Sequence, residues 1–132
     1  MWKFTSLIHE LGMTETSPIS FMSRSAEQPS NAVVHRDILP HTLAKVIDSS
    51  GNIVPQGIRG ELCIAGSGVQ KGYYQNPEKT REALKTDPSG VVWMHTGDEA
   101  VMDARGHCVI TGRIKDIIIR GWYILITLLK LH

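Results

Sequence analysis

The sequence predicts a strand-rich α+β fold, mostly antiparallel, with one short helix. Three observations carry this: short β-branched runs, turn signals close enough to join them as hairpins, and a single well-marked helix start. Residues 42–48 alternate apolar and polar positions and read as a first strand. Ser49-Ser50-Gly51-Asn52 and Pro55-Gln56-Gly57 then turn the chain into a second, 61–65, closed by Gly66-Ser67-Gly68. Asn76-Pro77-Glu78 opens the helix: Asn76 can cap it, Pro77 suits its first position, and Glu78 lies by its positive dipole end. The helix should reach about Lys85 and stop at Asp87-Pro88-Ser89-Gly90. Residues 91–95 and 99–102 read as a third and fourth strand, and Asp103-Ala104-Arg105-Gly106 turns the chain into a fifth, 107–111. Residues 17–37, rich in Ser, Pro and Asn and without a period, read as a long loop. One helix and five strands cannot shield both faces of a sheet, so its edges and one face call for a partner or the rest of a larger domain.

Composition narrows the function classes. The chain has 132 residues, 42% of them apolar, enough for one domain with a core. Lys and Arg number 14 against 13 Asp and Glu, which gives no electrostatic case for nucleic acid or an acidic membrane surface. Cys63 and Cys108 sit in apolar runs and read as buried reduced thiols, making an intracellular setting, cytoplasmic by default, the expectation. The first ten residues contain no signal-peptide core. The apolar stretch 122–129 falls short of the roughly 20 residues of a spanning helix.

Four segments place polar groups where a scaffold presents function. In Leu11-Gly12-Met13-Thr14-Glu15-Thr16, a glycine allows close backbone approach, Thr14 offers a hydroxyl, and Glu15 a carboxylate for Mg²⁺; a helix end capped by Gly12 is the structural alternative. In Trp93-Met94-His95-Thr96-Gly97-Asp98, the aspartate can accept from two adjacent hydroxyls, as in ribose recognition, or merely close a turn. In Thr111-Gly112-Arg113-Ile114-Lys115-Asp116, the two cations flank one residue and would point the same way in extended chain, toward an anion or toward solvent. Residues 66–74 lack the Gly-Lys-Ser/Thr of a phosphate loop and read as a structural turn. Cys63, His95, His107 and Cys108 are zinc-compatible types without zinc-site spacing.

The order of these segments carries more than each alone. Gly12-Met13-Thr14-Glu15, Asp48 with Gly51-Asn52-Ile53-Val54-Pro55, Gly60-Glu61-Leu62-Cys63-Ile64, Gly72-Tyr73-Tyr74, Asn76-Pro77-Glu78-Lys79-Thr80, Thr96-Gly97-Asp98 and Gly112-Arg113-Ile114-Lys115-Asp116 resemble consecutive core motifs of the adenylate-forming (AMP-binding) superfamily. The wording is most similar to fatty acyl-CoA synthetases of the medium-chain type. The resemblance implies part of the large N-terminal domain, a distorted antiparallel sheet or barrel, over 1–111. It further implies a hinge over 112–121 and an aberrant apolar tail over 122–132, with the C-terminal domain missing. A carboxylic acid and Mg·ATP would give acyl-adenylate, and CoA would then displace AMP. By the same resemblance Gly12 and Met13 would line the nucleotide pocket, Thr14 would meet the α-phosphate and Glu15 the Mg²⁺. Asp98 would bind both ribose hydroxyls, Arg113 a ribose hydroxyl from the far side, and Lys115 would mark the hinge. Leu11 stands where the family usually has an adenine-stacking tyrosine. The family's phosphate loop and C-terminal lysine have no counterpart here, so a fragment inactive alone is expected, its mitochondrial or peroxisomal parent being a further option. The tail's high β-propensity and low charge point to aggregation or chaperone association. A peptide-synthetase adenylation module and a non-catalytic nucleotide-binding protein are the alternatives.

Overall fold

A computed structural model describes residues 10–22, 37–114, 117–120 and 123–126. The fold is β-rich with one α-helix among the described residues, as the sequence predicts. Its centre is a five-stranded antiparallel sheet of β4 (Thr42–Ile47), β5 (Gly60–Gly66), β6 (Leu84–Thr86), β7 (Val92–Met102) and β8 (Cys108–Arg113). The order is β4-β5-β7-β6, and β8 follows β6 along the same edge of β7. A second, three-stranded sheet joins β1 (Glu10–Gly12), β2 (Ile19–Met22) and β3 (Asp37–Ile38). Ile117–Arg120 (β9) and Tyr123–Ile126 (β10) pair as a separate antiparallel hairpin.

Alternation along the strands fixes which face is core. Val46, Leu62, Ile64, Ala100 and Cys108 turn to one side of the large sheet, where Phe21 of the small sheet, 0% exposed, packs among them. The register pairs Val46 with Leu62 and Lys45 with Cys63, so Lys45, Cys63 and Cys63's partner His95 share the other face. There Lys45 Nζ lies 4.0 Å from the centroid of the Trp93 ring.

Three hairpin connections use the same five-residue device, Asp-x-x-Gly-x, at Asp48, Asp87 and Asp103. In each, the carboxylate accepts from backbone N–H groups two and four residues on, and the glycine N–H donates to the aspartate carbonyl at 3.0 Å. Gly51, Gly90 and Gly106 have φ of 87°, 88° and 82°, the left-handed conformation that such a turn requires. At Asp87 the Ser89 hydroxyl (2.6 Å) and the Trp93 indole N–H (2.8 Å) also donate. These bonds, the Ser89 hydroxyl first, push its carboxyl from an ordinary 3.8 down to about 2. A depressed native pKa means that the unfolded chain takes up the proton first. The contribution is therefore whole above 3.8 and is lost as pH falls through about 2. Trp93 fluorescence should report a step in that window, and Asp87→Asn should abolish it.

The differences from expectation have local causes. The helix (α1, Pro77–Ala83) is capped by Asn76, whose side chain accepts from Lys79 N at 3.0 Å, but it ends two residues early because Leu84–Thr86 is drawn into pairing with β7. The predicted third and fourth strands are one eleven-residue strand, β7, interrupted by a bulge and not by a turn. The alternative of a helix before Gly12 is overturned, since Gly12 ends a strand. Residues 17–37 are not loop throughout: Ile19–Met22 is a strand with Ser20 and Phe21 buried, and residues 23–36 lie outside the described residues. No helix among the described residues is long and apolar enough to cross a membrane.

Candidate nucleotide site

The bulge in β7 builds the site. Against β5, Glu61 pairs with Glu99 and Cys63 with His95, so two residues of β5 advance face four of β7. Thr96, Gly97 and Asp98 are pushed out of the ladder, and Gly97 takes φ +73°, where a side chain would be strained. Their backbone groups need new partners. Thr96 Oγ1 donates to Leu62 O at 2.8 Å and accepts from Asp98 N at 3.1 Å, while Gly97 N donates to Glu61 Oε1 at 3.2 Å. The displaced Asp98 is the register partner of Arg113 on β8, whose Nε lies 3.0 Å from Asp98 Oδ1. The carboxylate is 13% exposed and the guanidinium side chain 66%, so the pair has one foot in the protein and one in solvent.

Asp98 and Arg113 border a cleft of about 100 Å³ between the two sheets. Gly12, Met13, Thr16 and Ser20 form its second wall, and Leu62, Ile64 and Thr96 its floor. A Cβ on Gly12 would stand 2.0 Å from Pro18 O, so only glycine lets the chain turn this tightly. Thr16, 4% exposed, holds the turn by donating from Oγ1 to Met13 O at 3.1 Å.

Of the sequence-selected residues, Gly12, Met13, Asp98 and Arg113 come together in one cleft. Thr14 and Glu15 occupy the adjoining 3-10 turn (Thr14–Thr16) and do not line it. Glu15 turns toward the segment 66–74: Tyr73 OH donates to Glu15 Oε1 at 2.9 Å and Gln70 N to Glu15 O at 2.9 Å. Desolvation, then the Glu15 bond, pushes the Tyr73 phenol up, so it stays a donor at neutral pH. Lys115 lies outside the described residues. The stretch read as a structural turn thus also seats Glu15. Thr16, Glu61, Tyr73 and Thr96 each stand inside a quoted segment or motif, which is the signal they offer, but the sequence assigns none of them a site role; Ser20 offers no signal.

Two other features bear on cofactors. Glu15 and the Thr14 hydroxyl are hard oxygen donors, which suit Mg²⁺ when phosphates complete its shell. Glu61, Cys63 and His95 bring ligand atoms within 4.8 Å of one another, uniting two of the zinc-compatible residues across adjacent strands. His107 instead bridges Asp37 (3.2 Å) and Asp103 (3.1 Å), and Cys108 lies in the core. Burial, then Glu61, pushes the Cys63 thiol up to about 12, and His95 Nδ1 lies 2.9 Å from Glu61 Oε2. Glu61 is already engaged by both His95 and Gly97, and we assign the group no metal. A larger open depression, about 500 Å³, lies beside Glu61 and His95 and is bordered by Asp48, Arg59, Lys85 and Glu99. None of Gly12, Met13, Thr14, Glu15, Asp98 and Arg113, the nucleotide-site residues that the resemblance implies, borders it.

Residues 2–74 match the family model of the AMP-binding enzymes. The chain is 52% identical over 122 residues to acyl-CoA ligase sidI of Aspergillus fumigatus, covering 92% of this chain and 20% of that protein. It is 46% identical over 112 residues to the mitochondrial medium-chain acyl-CoA ligase ACSF2 of Danio rerio, covering 83% and 18%. The structure of ATP-bound MatB from Rhodopseudomonas palustris superposes with a TM-score of 0.74 at 32% identity, covering 90% of this chain and 23% of that one. The chain spans about a fifth of the length of the curated relatives it matches.

Proposed function

The chain belongs to the AMP-binding enzyme family, and from that premise we propose that it carries the ribose side of the nucleotide site of an adenylate-forming acid–thiol ligase. The observation that supports this most is the Asp98–Arg113 pair, set by a two-residue bulge at the mouth of a cleft whose far wall is Gly12 and Met13. A carboxylate held this way can accept from two neighbouring ribose hydroxyls, with the guanidinium donating beside it. Thr14 would meet the α-phosphate. Glu15 would hold Mg²⁺ together with the nucleotide's phosphates, and the ion would neutralise charge there. In the whole ligase a carboxylic acid, medium-chain as for the zebrafish relative, would be activated by ATP and passed to CoA. Residues 1–111 would belong to the N-terminal domain, and 112–121, with Lys115, would form the hinge to a further domain. A cytoplasmic or mitochondrial setting suits the two buried free thiols.

Among the described residues lining the cleft, Arg113 is the one cation, and it is already engaged with Asp98. Little therefore opposes the charge that builds on the phosphoryl group in transfer, the largest requirement of the first half-reaction. The 132-residue chain should accordingly bind AMP saturably yet release no pyrophosphate from ATP with medium-chain acids. Turnover that Asp98→Ala abolishes would show that the chain suffices for catalysis. Arg113→Lys should weaken AMP binding only about two- to fivefold, because an exposed ion pair is worth roughly 0–1 kcal/mol. A loss as large as that from removing Asp98 would contradict the assignment of Asp98 as the main ribose contact.

A further inference from the structure

We propose that Glu61 is the positioning residue of the nucleotide site, a splint that aims Asp98 through the backbone of Gly97; the inference rests on the ribose reading above. Glu61 belongs to β5 and does not line the cleft, yet it touches the bulge at two points. Its Oε1 accepts from Gly97 N at 3.2 Å, and its Oε2 lies 2.9 Å from His95 Nδ1. An ionised carboxylate only accepts, so His95 donates from Nδ1. One side chain thereby grips the strand on entry to the bulge and at its apex.

The grip matters because the ladder is missing there. Between the Cys63–His95 and Glu61–Glu99 pairs, β7 has two residues too many for β5. Two side chains replace the lost backbone bonds: Thr96 serves Leu62 O and Asp98 N, and Glu61 serves Gly97 N. Gly97 is the most permissive point of this strand, without a Cβ and at φ +73°. It immediately precedes the carboxylate proposed to read ribose. Freed of Glu61, its N–H would turn to find water, and the peptide that orients Asp98 would turn with it. A two-hydroxyl contact tolerates such a rotation poorly, because both bonds depend on one carboxylate plane. Glu61 is held in turn: its side chain is 24% exposed, and His95, 15% exposed, fixes its second oxygen.

The test compares AMP with 2′-deoxy-AMP by calorimetry on the full chain. Glu61→Ala should reduce the preference for AMP about tenfold, the worth of one charge-assisted bond. Glu61→Gln, which keeps an acceptor for Gly97 and can offer its amide to the other His95 tautomer, should retain most of it. In an Asp98→Asn background, Glu61→Ala should change the ratio no further, since the residue it aims is gone. A merely structural role would weaken both ligands alike and leave the ratio intact. Should Glu61→Ala fail to fold, Glu61→Asp keeps the charge but withdraws the carboxylate by one methylene, and should lower the ratio in its place. If the unaltered chain binds the two nucleotides equally, the ribose reading fails and the inference with it. If it prefers AMP and neither Glu61→Ala nor Glu61→Asp lowers that preference, the inference alone is overturned.

Discussion

Replacing Asp98 with asparagine should weaken AMP binding by roughly 10- to 150-fold, the equivalent of about 1.5–3 kcal/mol for a hydrogen bond to a charged group. The substitution keeps the shape of the side chain and one acceptor while removing the charge and half of the acceptor capacity. Structural damage should be small, since the partner Arg113 is 66% exposed and water can take over its donors. Most of the lost affinity should lie in the ribose hydroxyls: the variant should lose less affinity for 2′-deoxy-AMP, which keeps only the 3′-hydroxyl, than for AMP. Calorimetric titration of both ligands separates the cases. A loss below about threefold, well under 1 kcal/mol, would remove Asp98 from the site.

Phe21→Ala should be the most destabilising single change in the small sheet. Phe21 is 0% exposed and packs against Val46, Leu62, Ile64, Ala100 and Cys108, joining the two sheets. Truncating a buried phenylalanine costs about 3–5 kcal/mol once the cavity is included. Domains are typically stable by only about 5–15 kcal/mol, so the change should leave the chain barely folded. It should also loosen β1–β2 from the large sheet and, with it, the wall made by Gly12 and Met13. Ile53→Ala, at a side chain 70% exposed, should cost less than about 0.5 kcal/mol. Equal urea midpoints for the two variants would show that the sheets do not depend on this contact.

The parts of the fold set by local chemistry were legible in the sequence. Asn76-Pro77-Glu78 marks the helix start because capping acts within one turn. The Asp-x-x-Gly turns are visible because carboxylate, glycine and backbone N–H groups lie within five residues of one another. What escaped depends on partners distant in sequence. Leu84–Thr86 becomes a strand because β7 is beside it, and Ile19–Met22 because Phe21 finds a core supplied by β4, β5, β7 and β8. Thr96-Gly97-Asp98 drew notice as a strand-end motif, but its protrusion from mid-strand follows from register with β5, which no local pattern encodes. Glu61 was invisible as a site residue for the same reason, being 36 positions from the amide it holds. Glu15 was selected as a ligand, and its seating by Tyr73, 58 positions away, emerges only in three dimensions.

The central claim is that AMP occupies the cleft between the sheets, and amide chemical-shift mapping during an AMP titration tests it most directly. Signals of Gly12, Met13, Thr96, Gly97, Asp98 and Arg113 should move together and saturate at one dissociation constant. Signals of Asp48, Arg59 and Lys85, which border the larger depression, should stay in place. Movement confined to that second group, or none in either at saturating AMP, would contradict the assignment of Asp98 and Arg113 as the nucleotide site.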